Sequence, residues 1–453
     1  MQKLDVADII KATNGQLICG EPDFVISGIT IDSRKAERNM LFVAISGENN
    51  DGHDYIGSAF ENGADAIITH RDIPKREGKN IIRVKDTRTA LGDIARFYKE
   101  KYNLPTVAVT GSVGKTTTKD MISSVLTMKY NTVKTQGNFN NDIGLPLTVF
   151  RLEHKHEAVV LEMGMSHFGE IHYLASIAKP DIAVITNIGM SHIENLGSRE
   201  NIYRSKMQIC DFFDEKGVLI VNGDDEFLRR KQPNINTITC GIENKDCDFV
   251  ATNIQNLGID GTKFDVVVDG KPHTVTVKTA GVHNIYNALA SIAVGRQMGV
   301  DTEDIIDGIK EFQLTGMRME IEHYGGVTVI NDCYNSAPDS IKAALSVLSD
   351  IKAERKIAVL GDVLEMGDFA EKALYDIGEK MPKTDILVTV GDIAYHIARG
   401  AKNAEIGETV SFGEVSEAIE FLENTVKEGD AVLVKASRGM HFERITEALE
   451  DMR

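Results

Sequence analysis

Short, nearly continuous apolar runs alternate along this chain with segments of helical periodicity, and glycine or polar turns separate the two. The runs predict strands at 107–110, 158–161, 182–186 and 218–221. Strands of this kind, spaced by helices, belong to a parallel sheet covered on both faces. A shorter series at 29–34, 41–45 and 66–68, followed by a helix over 90–102, predicts a compact α/β unit ahead of that sheet. From Asp248 to Lys278 the pattern changes to strict alternation with Asp260-Gly261 and Asp269-Gly270 turns, which predicts an antiparallel insertion. After Thr315-Gly316, buried-type runs return at 327–330, 357–360, 386–390 and 431–434, predicting a second doubly wound sheet. The expected fold is α/β in three domains: a small N-terminal unit over 1–100, a central parallel-sheet domain over 101–314 and a Rossmann-like domain over 315–453.

The strand predicted at 107–110 runs into Gly111-Ser112-Val113-Gly114-Lys115-Thr116-Thr117 and then into a helix. A loop in that context aims backbone N–H groups, the positive end of a helix dipole and the Lys115 ammonium at one small volume, which suits a polyphosphate. Thr116 carries the hydroxyl that holds the accompanying Mg2+. Val109 stands where the full P-loop pattern has another glycine, so the motif is a variant. A glycine-rich turn with no ligand is the alternative. On the first reading, residues Gly111 through Thr117 bind ATP and the central domain is a P-loop ATPase domain.

Composition limits what surrounds this loop. At 453 residues the chain exceeds one ordinary core, and 42% apolar with 26% charged residues is usual for a globular protein. No apolar run is long enough to span a bilayer, and Met1 to Gly20, which carries Asp5 and Asp8, lacks the continuous apolar centre of a signal peptide. A net charge of −18 argues against general affinity for nucleic acid or anionic lipid, so the cations inside motifs carry more weight. Five scattered cysteines with no C-x-x-C pair point to reduced thiols, a cytoplasmic location and no structural zinc.

Other residues add chemistry at the same sheet edge. Glu162 follows the 158–161 run, where a carboxylate can take Mg2+ opposite Thr116, although a helix cap would use the same group. The next run ends in Thr186-Asn187-Ile188-Gly189-Met190-Ser191-His192. Mg2+ prefers oxygen, so a hydrogen-bonding loop role for His192 is the ordinary alternative to metal binding. Ile202, Lys206, Ile209 and Phe213 share one helical face, so Lys206 interrupts an apolar stripe. Either its stem packs while its head reaches water, or desolvation lowers the amine pKa and makes it reactive. Asn284 and Asn287 offer two amides from one helical face, to an adenine edge or to the start of their own helix. Arg318 falls at the junction of the second and third segments.

Thr110 through Thr117, Glu162-Met163-Gly164, Asn187-Ile188-Gly189 through His192, Lys206, His283-Asn284-x-x-Asn287-Ala288 and Gly316-Met317-Arg318-Met319-Glu320 together resemble the Mur ligases of bacterial cell-wall precursor synthesis. Asp32-Ser33-Arg34 and Asp51-Gly52-His53-Asp54 resemble that family's UDP-sugar-binding domain. The resemblance implies ATP-dependent amide ligation through an acyl phosphate. It gives the UDP-sugar substrate to 1–100, ATP to 101–314, and the incoming dipeptide with part of ATP to 315–453. The segments 137–144, 331–340, 360–367 and 435–440 are similar to those of members that add D-alanyl-D-alanine to UDP-N-acetylmuramoyl-tripeptide, the last cytoplasmic step of the precursor. The Asp-Asn-Pro-Arg motif of the diaminopimelate-adding relative is absent.

Implied roles put Lys115 on the β/γ-phosphates, Thr116 and Glu162 on one Mg2+, and His192 on a second. Lys206 would be carbamylated by CO2. Asn284, Asn287, Arg318 and Asp332 would surround the nucleotide, and Ser33 and Arg34 would face UDP. Asn138, Asn141, Ser166, Tyr334 and Asn335 would contact substrate, with Ser437 and Arg438 toward the dipeptide. A monomer acting on small molecules is expected. The alternatives are another amino-acid-adding or folylpolyglutamate-type ligase and, from a different class, a P-loop switch or binding module.

Overall fold

A computed structural model describes residues 1–314 and 316–451, so the expected boundary at Thr315 lies outside the described residues, as do Met452 and Arg453. The central sheet has seven parallel strands in the order Phe249–Val250, Asn236–Gly241, Val218–Asn222, Ile182–Ile185, Thr106–Thr110, Ala158–Glu162, Thr132–Lys134. Alternate residues of its buried strands face opposite ways. Val107, Val109, Val160 and Val184 join Met121, Ile122, Ile285 and Leu289 on one side. Ala108, Leu161 and Ala183 join Ile171 and Leu174 on the other. Val109 is wholly buried in the first of these cores, which is why an apolar side chain stands at that position of the loop motif.

Parallel register brings the functional strands to one rim. Glu162 lies opposite Val109, and Ile185 opposite Thr110, so the loops that follow all three strands open on the same edge. Strands Thr132–Lys134 and Asn236–Gly241 had no clear signal, being short or rich in polar residues.

The insertion is a three-stranded antiparallel sheet, Thr252–Asn256, Thr262–Val268 and Lys271–Val277. Asp269 and Gly270, at φ of 50° and 76°, make its tight turn as expected. Its first residues depart from the prediction: Phe249–Val250 pairs parallel with Asn236–Gly241 and so extends the central sheet.

The N-terminal sheet orders its five strands as Gln16–Cys19, Asn80–Arg83, Ala66–Thr69, Met40–Val43, Gly28–Thr30, antiparallel only at the first pair. The helix expected over 90–102 spans Thr87–Glu100, because the Asp86 side chain accepts from Thr89 N–H at 2.6 Å and caps it earlier. This helix packs on helices Gly144–Val149 and Glu170–Ala178. Tyr98 and Tyr102 both donate to the Leu152 carbonyl, at 2.7 and 3.0 Å.

The C-terminal sheet runs Glu320–Tyr324, Val327–Asn331, Asp430–Lys435, Arg355–Gly361, Thr384–Val390, Ile406–Phe412. All pairs are parallel except the Glu320–Tyr324 hairpin, which the apolar pattern did not announce.

Candidate active site

Gly111 comes so close to strand Ile182–Ile185 and its extension that a Cβ there would lie 1.8 Å from Thr186 Oγ1. Gly114, at φ 86°, is the N-cap of helix Lys115–Thr127 and supplies no side-chain cap. The N–H groups of the first turn, at Lys115, Thr116 and Thr117, therefore keep their donor capacity for an anion. Lys115 Nζ donates to the Gly111 and Ser112 carbonyls at 2.9 and 3.3 Å.

The loop is fixed from the neighbouring strand. The Asn187 amide accepts from Val113 N–H at 3.0 Å and donates to the Val113 carbonyl at 3.1 Å. Thr186 Oγ1 donates to the same carbonyl at 2.6 Å, and Gly189 N–H donates to Ser112 Oγ at 2.9 Å. The 187–192 segment is itself clamped: Ile188 N–H donates to Asp225 at 2.8 Å, and Arg199 donates to the Ile188 carbonyl at 2.8 Å. Asn187 carries no role among the sequence-based expectations; its position two residues beyond the strand Ile182–Ile185 is the signal that marks it.

Glu162 is 1% exposed. Its Oε1 accepts from Asn140 Nδ2 at 2.8 Å, while Oε2 is buried with no hydrogen-bond partner among the described residues. Leaving a buried carboxylate oxygen unpaired is costly, and a divalent cation would satisfy it. The donor set of Glu162 and the Thr116 hydroxyl thus fits Mg2+. No cluster of three or more His, Cys, Asp or Glu groups suited to a metal occurs among the described residues.

Burial pushes the Lys115 amine below the usual lysine range; Glu162 opposes that shift and the Arg318 cation adds to it. Lys206 is 2% exposed, and burial drives its amine well below the ordinary lysine value, with the Lys115 cation pushing the same way. The packed-stem reading with a solvated head therefore fails for Lys206. Lys115 thus interacts electrostatically with Glu162, Arg318 and Lys206 in turn.

His192 has φ 61° and pairs through Nδ1 with Glu365 from the C-terminal sheet's rim. Ser166 Oγ lies 3.5 Å from the same nitrogen. Asn284 and Asn287 are buried and hydrogen-bonded within the fold: Thr118 Oγ1 donates to Asn287, Asn287 to Asn284, and Asn284 to the Ala280 carbonyl. Asn287 Oδ1 would be 3.3 Å from a Cβ on Gly114, so this chain of amides backs the phosphate loop. Beside it opens a largely apolar cavity lined by Val184, Ile220, Val221, Cys240 and Tyr286.

On the C-terminal side, the Arg318 guanidinium lies 4.1 Å from the Tyr334 ring centroid. Asp332 accepts from Met319 N–H at 3.1 Å and from Lys435 Nζ at 2.6 Å. Lys435, 1% exposed, also donates to the Asn335 carbonyl at 2.9 Å. It was not among the expected site residues, although a lysine closing an otherwise apolar strand was a visible signal. Ser437 Oγ accepts from Leu364 N–H at 2.9 Å, and Arg438 is exposed beside Glu443.

The remaining expected substrate contacts lie in the N-terminal domain and on the 137–144 loop, whose Asn140 binds Glu162. Ser33 is buried in a turn, and Arg34 pairs with Asp32 at 2.9 Å, which lowers that carboxyl to about 2. Asn138 is exposed, and Asn141 accepts from Gly144 N–H at 2.8 Å at the start of helix Gly144–Val149.

Family models for the Mur ligase middle domain, the Mur ligase glutamate ligase domain and the Mur ligase family catalytic domain match residues 109–295, 317–438 and 25–99. A UDP-N-acetylmuramoyl-tripeptide–D-alanyl-D-alanine ligase of Bacillus subtilis (strain 168) is 40% identical across 99% of this chain and 99% of its own. A crystal structure of MurF from Acinetobacter baumannii superposes with a TM-score of 0.92 at 31% identity, covering 100% of this chain and 99% of that one. MurF ligase from Thermotoga maritima, crystallised in complex with ADP, gives 0.84 at 30% identity over 94% and 97% of the two chains. With three domain matches in sequence order and relatives aligned end to end, the chain belongs to the Mur ligase family.

Proposed function

We propose that this protein is the ATP-dependent ligase that joins D-alanyl-D-alanine to UDP-N-acetylmuramoyl-tripeptide in peptidoglycan precursor synthesis. The observation that carries the reading is the half-unpartnered Glu162 carboxylate at the sheet rim that bears the Gly111–Thr117 loop, with Arg318 and the buried Lys206 amine each interacting electrostatically with Lys115. A carboxylate is a poor electrophile until its oxygen becomes a leaving group. Phosphoryl transfer from ATP supplies that, and the dipeptide amine then displaces phosphate. Both steps concentrate negative charge, which positioned cations stabilise.

In this reading the Gly111–Thr117 backbone and Lys115 hold the phosphates. Asn284 and Asn287 brace the loop from behind, while Arg318 and Asp332 reach the nucleotide from the C-terminal side. Thr116 and Glu162 would hold one Mg2+ and His192 a second; the ion supplies charge neutralisation of the phosphates. Burial drives the Lys206 amine well below the ordinary lysine value, and in its neutral form it would add CO2 and release a proton to give an anionic carbamate. Ser33 and Arg34 serve the UDP end. Asn138, Asn141, Ser166, Tyr334 and Asn335 line the peptide path, and Ser437 and Arg438 meet the dipeptide. Residues 1–100, 101–314 and 315–453 thus take sugar nucleotide, ATP and dipeptide in turn.

We place the monomeric enzyme in the cytoplasm, a reading favoured by its five free cysteines and its need for ATP. The test is ADP release, with the product's mass, when purified protein receives the UDP-tripeptide with D-alanyl-D-alanine or with a single amino acid. Dipeptide-dependent ADP release and a pentapeptide product are expected. Turnover with the amino acid instead would favour a different ligase of the family, and ADP release independent of substrate would favour a switch.

A further inference from the structure

Two non-glycine residues in left-handed backbone conformation meet across the cleft between the central and C-terminal sheets: His192 at φ 61° and Glu365 at φ 63°. Such conformations are unfavourable for side chains with a Cβ and persist where surroundings enforce them, often at functional sites. Here the two side chains meet, Glu365 Oε2 against His192 Nδ1. The backbones also meet, with Glu194 N–H donating to the Glu365 carbonyl at 3.4 Å. A Cβ on Gly367, two residues on, would lie 3.1 Å from Glu194 Cγ. The contact is therefore a docking of the 361–369 loop onto the short helix Ile193–Leu196, with the His192–Glu365 pair at its head.

Imidazole has two nitrogens, and a carboxylate at one fixes the tautomer and aim of the other. The polar contacts of the His192 ring, to Glu365 and Ser166, both fall on Nδ1, and no hydrogen bond to Nε2 occurs among the described residues. With the proton on Nδ1, Nε2 presents a lone pair. The same 187–192 loop bonds Ser112 of the phosphate loop through Gly189 and Ser191, so the ring's aim is transmitted from a backbone already tied to the nucleotide site.

We propose that Glu365 is a positioning residue for His192, lent by the C-terminal domain: docking of the 361–369 loop sets the ring so that Nε2 faces the metal–nucleotide site. This rests on the ATP-ligase reading and adds that the second cation position is assembled only when the two domains meet. It assigns Glu365 a role that acts through another residue and not on substrate.

The test uses the full-length enzyme with ADP and Mn2+, a paramagnetic stand-in whose pulsed EPR spectrum reports nitrogen modulation from a coordinated imidazole. Wild type should show that modulation, and His192→Ala should abolish it. Glu365→Asn suits the left-handed backbone yet is one methylene too short to reach the ring. It should lose the modulation and weaken Mn2+ binding about 10- to 100-fold, with an unchanged thermal midpoint. Glu365→Gln, whose amide oxygen still accepts from Nδ1–H, should keep the modulation. Nitrogen modulation that survives in Glu365→Asn, or that is missing from wild type, overturns the assignment. Ligase turnover by the same wild-type preparation is read separately, so the proposed function can stand while this inference falls.

Discussion

Lys435 closes the strand Asp430–Lys435 with a buried ammonium that donates to Asp332 at 2.6 Å, across from the strand Val327–Asn331. The pair locks together the end of the strand that leads to Ser437 and the carboxylate proposed to meet the nucleotide. Lys435→Met should cost about 3 kcal/mol, the scale for stripping one partner from a buried ion pair. It should also raise the KM for both ATP and dipeptide. Denaturant unfolding and initial-rate kinetics check the two effects.

Lys206→Ala should be nearly inactive, and added short carboxylates such as acetate should partly restore turnover, because they replace the anion a carbamate would supply. Lys206→Met separates chemistry from stability. A lysine depressed in the fold binds fewer protons there than when unfolded, so wild-type stability should rise as pH climbs toward the ordinary lysine value of 10.5. The methionine variant should lack that slope and be the more stable protein near neutrality. Unfolding midpoints from about pH 6 to about pH 9 measure the difference.

Asn187→Ala removes two of the three hydrogen bonds that hold the Val113 backbone, leaving the one from Thr186 Oγ1. Loss of one or two buried bonds of this kind costs about 1–3 kcal/mol, so ADP affinity should fall by about 10- to 100-fold. Isothermal titration of the folded variant with ADP provides the reading. An unchanged affinity would mean that the phosphate loop does not depend on this amide.

Tyr98→Phe should lower stability by about 1 kcal/mol through loss of its bond to Leu152, while leaving kcat unchanged. The hydroxyl fastens the first domain to the second far from the phosphate loop, so thermal unfolding and steady-state assays should diverge.

Most of the chemistry at the central rim was legible because it depends on spacing within single segments. The Gly111–Thr117 loop, Glu162 at a strand end and Lys206 within an apolar stripe each announce themselves locally. The partners that orient them do not. Asn187 acts on Val113 from 74 positions away, and Lys435 on Asp332 from 103, so only the register of parallel strands reveals them. The same holds for Glu365, whose relevance comes from a loop of one sheet landing on a loop of another. Asn284 and Asn287 were legible as a pair of amides on one face, but their mutual bonding, which turns both inward, needed the packed helix. Edge strands such as Ile406–Phe412 were missed because half-exposed strands carry charged and small residues among the apolar ones.

Helix Thr87–Glu100 ties the first sheet to the second through apolar packing and the shared Leu152 carbonyl. On the proposed reading, with Ser33 at the nucleotide head and Lys115 at the phosphates, that seam sets the span a bound precursor has to bridge. A substrate gripped by its nucleotide head must then extend a stem of the right number of residues for its terminal acid to arrive at the phosphate. On that reading stem length would be selected by reach, before any side chain is inspected, and a precursor one residue short would be held yet idle.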